Sequence, residues 1–284
     1  MSDYHPSQQI LPENEALYSL EILKSLRSML TMVGHLDNSK SFDPGSLVEP
    51  QLAKSLNFNQ KLGHLYEDAL AQLLEQSPRY DLIAKNKQII TKERQTIGEL
   101  DYVLLDRDTD FHLHLELAIK FYLVHQQGYN FTFPGPDARD NYRNKIERLC
   151  SHQLQLTRQD VTREILWKEF EIHQIQPSHL IQGIFFDHIE AEDHPSPPSA
   201  NLYCRRRHWL HCCELATKYP KMSAARVLPK ALWICEMTQE LFDTLVEVTT
   251  EELIELGQQR CTMFVERATD QPAFLAPDSW PEAH

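Results

Sequence analysis

Glycine is scarce in this chain, with eight among 284 residues. Neither a G-x-x-x-x-G-K-[ST] phosphate loop nor a G-x-G-x-x-G fingerprint occurs, which excludes nucleotide binding through either device. No apolar run approaches the about 18 residues that a membrane-spanning helix needs. The start, MSDYHPSQQILPENEAL, has neither the basic region nor the apolar core of a secretory signal. A soluble, cytoplasmic protein with no membrane partner is therefore expected. The six cysteines, Cys150, Cys204, Cys212, Cys213, Cys235 and Cys261, include no C-x-x-C pair, so they read as reduced, mostly buried thiols rather than a disulfide framework. Excess basic charge is missing too. A formal net charge of -13 and a pI near 5.5 argue against a protein that coats nucleic acid non-specifically. They leave room for an enzyme that attracts nucleic acid locally, through a metal and a small basic patch. There is no internal repeat and no low-complexity tract.

What is present is a globular composition, 42% hydrophobic and 9% aromatic, in a length that suits one large domain or two small ones. The most regular stretch runs from Gly98 to Tyr122, GELDYVLLDRDTDFHLHLELAIKFY. Phe111, Leu113, Leu115, Leu117 and Ile119 alternate with His112, His114, Glu116, Ala118 and Lys120, a period of two that predicts a half-buried strand. Ile97 to Leu105 predicts a second strand with Glu99 and Asp101 on one face. Polar Arg107 to Asp110 between them predicts an antiparallel hairpin. One face of that hairpin presents Asp101, Glu116 and Lys120 together. Two carboxylates and a lysine at strand positions suit divalent-metal phosphodiester chemistry, in which hard oxygens hold Mg²⁺ and an ammonium orients water or stabilises developing charge. The same residues also read as a solvated strand face with an ordinary cross-strand ion pair.

Elsewhere, residues 13–33 predict an amphipathic helix that Gly34 ends, followed by a loop over 37–50. Phe58 to Gln76 predicts a better helix, with a broad apolar stripe through Leu62, Leu65, Tyr66, Ala69, Leu70, Leu73 and Leu74 and Pro78 as its stop. Glu67 lies beside that stripe, on the edge that meets the sheet. Tyr80 to Ile90 reads as a strand. Lys85, Lys87, Lys92 and Arg94 gather around it, as a solvated face or a phosphate-tracking groove. A loop at 128–136, a helix over about 137–154, a strand at 179–188 and the loop HPSPPSAN at 194–201 follow. The remainder predicts a helix near 202–218, a strand at 231–237 and a helix from Thr249, where Thr249 and Glu252 fit a capping box.

A helix carrying a glutamate, then a Gly-Glu-Leu-Asp strand, then a strand with glutamate and lysine, resembles the PD-(D/E)XK nuclease superfamily over residues 58–190, in particular its Holliday-junction-resolvase-like branch. GELDYVLL, HLELAIKFYL, the Gly-Pro-Asp ahead of a helix ending KIERLCSHQL, and LPKALW at 228–233 together resemble a family of bacterial proteins classed as a domain of unknown function with this nuclease-like core. That resemblance spans most of the chain. It implies an α/β fold in which a restriction-endonuclease-like mixed sheet flanked by helices occupies 58–190. Residues 1–57 would form a helical N-terminal extension, and 191–284 a C-terminal α/β extension with helices of its own, packed on the core. It further implies that Asp101 and Glu116 ligate Mg²⁺ or Mn²⁺ together with the backbone carbonyl of Leu117, that Glu67 supports them, and that Lys120 assists the attacking water. One departure stands out: the motif expects lysine two residues after the glutamate, where this chain has Ala118. Lys120 is displaced by one strand pair, about 6.5–7 Å, which a lysine side chain can span. Lys145 on the following helix is a second candidate for the ammonium, and Gln153 is polar near the same sheet face.

Other clusters carry less. Cys204, His208, His211 and Cys212 would share one side of a helix, yet a single stretch would supply every ligand, whereas structural zinc draws on two ligand pairs, so buried thiols and surface histidines are expected. Arg205 to Arg207 reads as a solvated run or a phosphate contact. His112 and His114 share the face of Glu116, which reads as imidazole metal ligands or, in preference, as neutral histidines lining a polar groove or the sheet margin. Cys150 and His152 point apart on a helix and make no triad. The expected function is thus a metal-dependent nuclease acting on DNA or RNA. The alternative is a catalytically inactive nuclease-fold module that binds nucleic acid or protein.

Overall fold

The computed structural model describes residues 10–267, 269 and 271–282. Two long strands organise it. β4 (Phe111–Leu123) pairs in parallel with β7 (Ile175–His188) from His112↔Ile175 to Leu123↔Phe186. β2 (Tyr80–Ile90), β3 (Thr96–Asp106) and β4 form an antiparallel meander. The strand boundaries and the polar turn at 107–110 follow the period-two pattern and turn residues of the sequence. The predicted strand at 179–188 begins four residues earlier, at Ile175.

Parallel pairing needs a long crossover, and crossover helices cover sheet faces. On one face lie α1 (Glu15–Ser28) and α2 (Leu62–Glu75), packed on Leu113, Leu115, Leu117, Leu180 and Ile184. On the other face lie α3 (Tyr142–Ser151), the 3₁₀ segment Gln153–Arg158 and α4 (Asp160–Phe170), packed on Tyr122, Ile181, Leu100 and Val103. β4 is therefore covered on both sides rather than half-buried, and His114 and Glu116 are 0% and 1% exposed. On the apolar face Leu113, Leu115 and Leu117 are buried as the alternation predicts, Leu115 fully, while Phe111 at the start of the strand is exposed. Leu115→Ala should cost about 2–5 kcal/mol in a denaturant titration, and an unchanged midpoint would contradict this register.

α1 stops at Ser28, five residues short of the predicted end. Gln182 on β7 explains why: its Nε2 donates to Leu26 O at 2.8 Å and Met29 O at 2.6 Å, satisfying carbonyls that the helix end leaves open. Met32 N–H then donates to Ile181 O at 2.6 Å. The 37–50 loop contributes β1 (Lys40–Ser41), which pairs in parallel with β7. α2 begins at Leu62, not Phe58, and α3 at Tyr142, not 137. Asn141 caps α3 by accepting from Asn144 N–H at 2.9 Å. A short hairpin, β5 (His125–Gln127) with β6 (Asn130–Thr132), precedes it.

After residue 190 the same sheet continues. β8 (Arg206–His211) pairs with β7, β12 (Ala273–Ala276) with β8, β11 (Thr262–Val265) with β12, β9 (Ala224–Val227) with β11, and β10 (Val246–Thr249) with β9. Two predictions fail here. The expected helix near 202–218 is instead β8, the 3₁₀ segment Cys212–Glu214 and the single turn α5 (Leu215–Lys218), because 206–211 is held as a strand by partners on both sides. The expected strand at 231–237 is a buried 3₁₀ turn, Lys230–Leu232, braced by Trp233 Nε1 donating to Leu228 O at 3.1 Å. A short α6 (Gln239–Thr244) precedes α7 (Thr250–Gln259), whose capping box forms as predicted: Thr249 Oγ1 accepts from Glu252 N–H, and Glu252 accepts from Thr249 N–H. The described residues thus form an α/β protein with one large mixed sheet flanked by helices.

Two glycines set close approaches near the site. A Cβ on Gly98 would lie 2.5 Å from Leu156 Cδ1, so its absence lets the 153–158 segment settle on β3. A Cβ on Gly183 would lie 1.7 Å from Lys120 O, at a φ of 152° that side-chain-bearing residues rarely adopt.

Candidate functional site

The β3–β4 ladder runs from Asp106↔Phe111 to Tyr102↔Leu115. Beyond it β3 continues along β2 and β4 along β7, so the two strands part as a wedge. Asp101 stands where they part, its Oδ2 accepting from Leu117 N–H at 2.9 Å in place of a strand partner. The N–H and C=O of one residue in an extended strand point to the same side, so the Leu117 carbonyl also faces the wedge. Glu116 enters from β4. Its Oε1 meets His114 Nε2 at 2.8 Å, and its Oε2 accepts from Gln153 Nε2 at 2.5 Å.

Glu67 comes from α2. Its Oε2 meets His64 Nδ1 at 3.0 Å and accepts from Asn86 Nδ2 at 2.8 Å, while its backbone carbonyl accepts from Tyr102 O–H at 2.6 Å and so ties α2 to β3 beside Asp101. Asn86 has a left-handed backbone, φ 51°, and falls opposite Asp101 in the β2–β3 ladder. Asparagine tolerates that conformation better than most residues. Asn86 Oδ1 and His114 Nδ1 are buried with no hydrogen-bond partner among the described residues.

The electrostatics reflect three carboxylates in one place. Burial, then the neighbouring Glu116, then Glu67 push the Asp101 carboxyl up to about 8, against the stabilising Leu117 N–H and the Lys145 ammonium. Lys145 is a cation close enough to Asp101 and Glu116 to be felt by both. It donates to Gln153 Oε1 at 2.9 Å, and Gln153 in turn donates to Glu116. An ammonium can only donate and a carboxylate can only accept, so this chain fixes the orientation of the Gln153 amide. Burial and the nearby Lys120 ammonium lower the Lys145 pKa, and Glu116 and Asp101 oppose that shift. Lys120 itself turns to Asp140 Oδ2, at 2.6 Å.

A family model described as Domain of unknown function (DUF1853) matches residues 7–271. The chain belongs to this family. Neither curated proteins nor solved structures give a match. The description of the DUF1853 family assigns no activity, so the site residues carry the functional argument.

Glu67, Asp101 and Glu116 come together as the sequence suggests, with the Leu117 carbonyl beside them. Lys120 is the exception, displaced toward Asp140. His64, Asn86 and His114 complete the site. Asn86 left a sequence signal: a residue of low strand propensity in the middle of β2, between two lysines. Several charged residues weighed as phosphate contacts are engaged elsewhere. Lys85 pairs with Asp68, Lys87 with Glu169 and Lys92 with Glu164. Arg205 pairs with Glu236, Arg206 with Asp187, and Arg207 is buried with its Nη2 donating to Cys235 O, so the three arginines are not a solvated run. The six cysteines are all free thiols, and Cys204, Cys212, Cys235 and Cys261 are buried. Among the described residues no helix is long and apolar enough to cross a membrane.

Proposed function

We propose that the chain is a divalent-metal-dependent nuclease with its centre in the wedge between β3 and β4. The observation that carries this reading is the convergence of Glu67, Asp101 and Glu116, from three different elements, with the Lys145 ammonium facing two of them. The donor set fits Mg²⁺ or Mn²⁺: Asp101, Glu116 and the Leu117 carbonyl as ligands, Glu67 in support, all of them hard oxygens. Asn86 Oδ1, buried without a hydrogen-bond partner, is a further oxygen beside Glu67. A bound cation would relieve the repulsion that raises the proton affinity of Asp101. The metal would supply Lewis-acid polarisation of the scissile phosphate and of the attacking water.

The protein's own groups do the rest. Lys145 holds positive charge where negative charge develops on the phosphate, a preorganised stabilisation that needs no rearrangement during the reaction. Gln153 fixes both Lys145 and Glu116, and His64 and Asn86 fix Glu67. Cleavage of single- and double-stranded DNA and RNA should require Mg²⁺ or Mn²⁺ and stop on chelation with EDTA.

A second reading rests on Glu116. Both its oxygens are already engaged, by His114 and Gln153, and Ala118 holds the place of the expected lysine. On that reading the chain is a catalytically inactive nuclease-fold module that binds nucleic acid or protein. Nucleic-acid binding that is indifferent to EDTA, with no cleavage of any substrate, would select it.

A further inference from the structure

We propose that a second cleft, where the end of β7 meets the end of β8, binds a borderline divalent cation of the Zn²⁺ class through His188, Glu190 and Glu214. One ligand atom from each of these residues lies within 4.8 Å of the others. Tetrahedral ligands each about 2.0–2.2 Å from one ion lie about 3.3–3.6 Å apart, so closing the site draws the most distant pair together by about 1.5 Å or less. This proposal is independent of the nuclease reading, because its ligands lie on other elements.

The ligands are held by the fold. His188 ends β7, and the turn that carries Glu190 is closed by Ala191 N–H donating to His188 O at 2.8 Å. Glu214 ends the 3₁₀ segment after β8, and its Oε2 accepts from His211 N–H at 2.7 Å and from His188 Nε2 at 3.0 Å. The buried Trp209 ring stands 4.7 Å from the His188 ring and 4.9 Å from the His211 ring, and its own Nε1 donates to Val124 O at 3.1 Å. That wall fixes imidazole orientation in the way supporting partners do at metal centres.

The cleft, of about 590 Å³, is also lined by His211 and His125. His211 Nδ1 lies 3.0 Å from Pro277 O. A carbonyl only accepts, so Nδ1 carries the proton and Nε2 is the lone-pair nitrogen of the neutral ring, the form that ligates metals. His125 is close enough to His211 and His188 to feel both rings. Imidazole beside carboxylate as direct ligands favours Zn²⁺, Co²⁺ or Ni²⁺, whereas the oxygen ligands proposed between β3 and β4, Asp101, Glu116 and the Leu117 carbonyl, favour Mg²⁺. Glu190 also pairs with Lys218 at the surface, a contact that a divalent cation readily outcompetes because exposed ion pairs contribute little.

Metal-depleted full-length protein titrated with Zn²⁺, and separately with Co²⁺ followed by visible absorption, tests this. With Mg²⁺ in excess to occupy the wedge between β3 and β4, one equivalent should bind to the wild type. Binding should weaken at least about tenfold in His188→Ala and in Glu214→Gln. Glu190→Gln, on an exposed turn, should weaken binding similarly without affecting folding, and Asp101→Asn should leave it unchanged. Unaltered affinity in Glu190→Gln and Glu214→Gln would overturn the proposal. So would the absence of binding to the wild type, or a Co²⁺ spectrum dominated by thiolate charge transfer that Cys213→Ser removes.

Discussion

Asp101→Ala is expected to abolish metal-dependent cleavage, and Lys145→Ala to slow it about 10²–10³-fold, the usual cost of removing one preorganised donor. Lys120→Ala should slow it about tenfold or less. The difference between the lysines follows from their partners. The Lys120 ammonium is committed to Asp140 at 2.6 Å, whereas Lys145 acts on Asp101 and Glu116 and is linked to Glu116 through Gln153. Ala118 packs in the cluster that contains Ile146 and Cys150 of α3, next to the helix that supplies Lys145. Ala118→Lys should therefore restore activity to the Lys145→Ala variant. Single-turnover cleavage rates, with melting temperatures to confirm that each variant is folded, would decide between the lysines. A dead Lys120→Ala beside a fully active Lys145→Ala would return the role to the lysine on the strand.

The contrast between the lysines also marks where the sequence stops being informative. Strand period and turn chemistry are local, so β2, β3 and β4 were legible nearly to the residue, and with them the placement of Asp101 and Glu116. The burial of His114 and Glu116 was not, because their cover comes from the helices and the 3₁₀ segment of residues 142–170, brought there by the parallel crossover to β7. Lys145 reaches the site by the same route, with Gln153 seated where Gly98 lets Leu156 approach β3. The early end of α1 depends on Gln182, more than 150 residues away in sequence. The errors at 202–218 and 231–237 share a cause. Short apolar and aromatic runs such as HWLHCC and ALWIC satisfy helix and strand patterns alike, and pairing partners decide between them. The second cleft was invisible for a related reason: His188, Glu190 and Glu214 converge only because β8 lies beside β7.

Asp101→Asn should make the metal-free protein more stable than wild type at pH 8 by a few kcal/mol, and the advantage should shrink toward pH 4. The sign follows from proton linkage. Burial and the neighbouring carboxylates push Asp101 up to about 8 in the folded protein, against about 3.9 for a free aspartate. Below pH 4 both states hold the proton, and the group imposes no penalty. Between about pH 4 and 8 the unfolded chain has lost that proton while the folded protein retains it, so wild-type stability falls as pH rises across this window. Asparagine does not ionise, and its side-chain oxygen can still accept from Leu117 N–H. The difference between the two stability curves therefore cancels titrations remote from the cluster and reports Asp101 together with the carboxylates that face it. Mg²⁺ or Mn²⁺ should lift the wild type at pH 8, with about 2.7 kcal/mol available at a hundredfold excess over the dissociation constant. The asparagine variant, with one charge and one good ligand removed, should respond less. If Asp101 were instead the partner of Lys145 in a structural ion pair, the substitution would strand a partly buried ammonium and destabilise the protein at pH 8 whether or not metal is present. Thermal melts at four pH values, with and without Mg²⁺, separate the two. A drop for Asp101→Asn at pH 8 with no metal response in the wild type would remove the metal from this site.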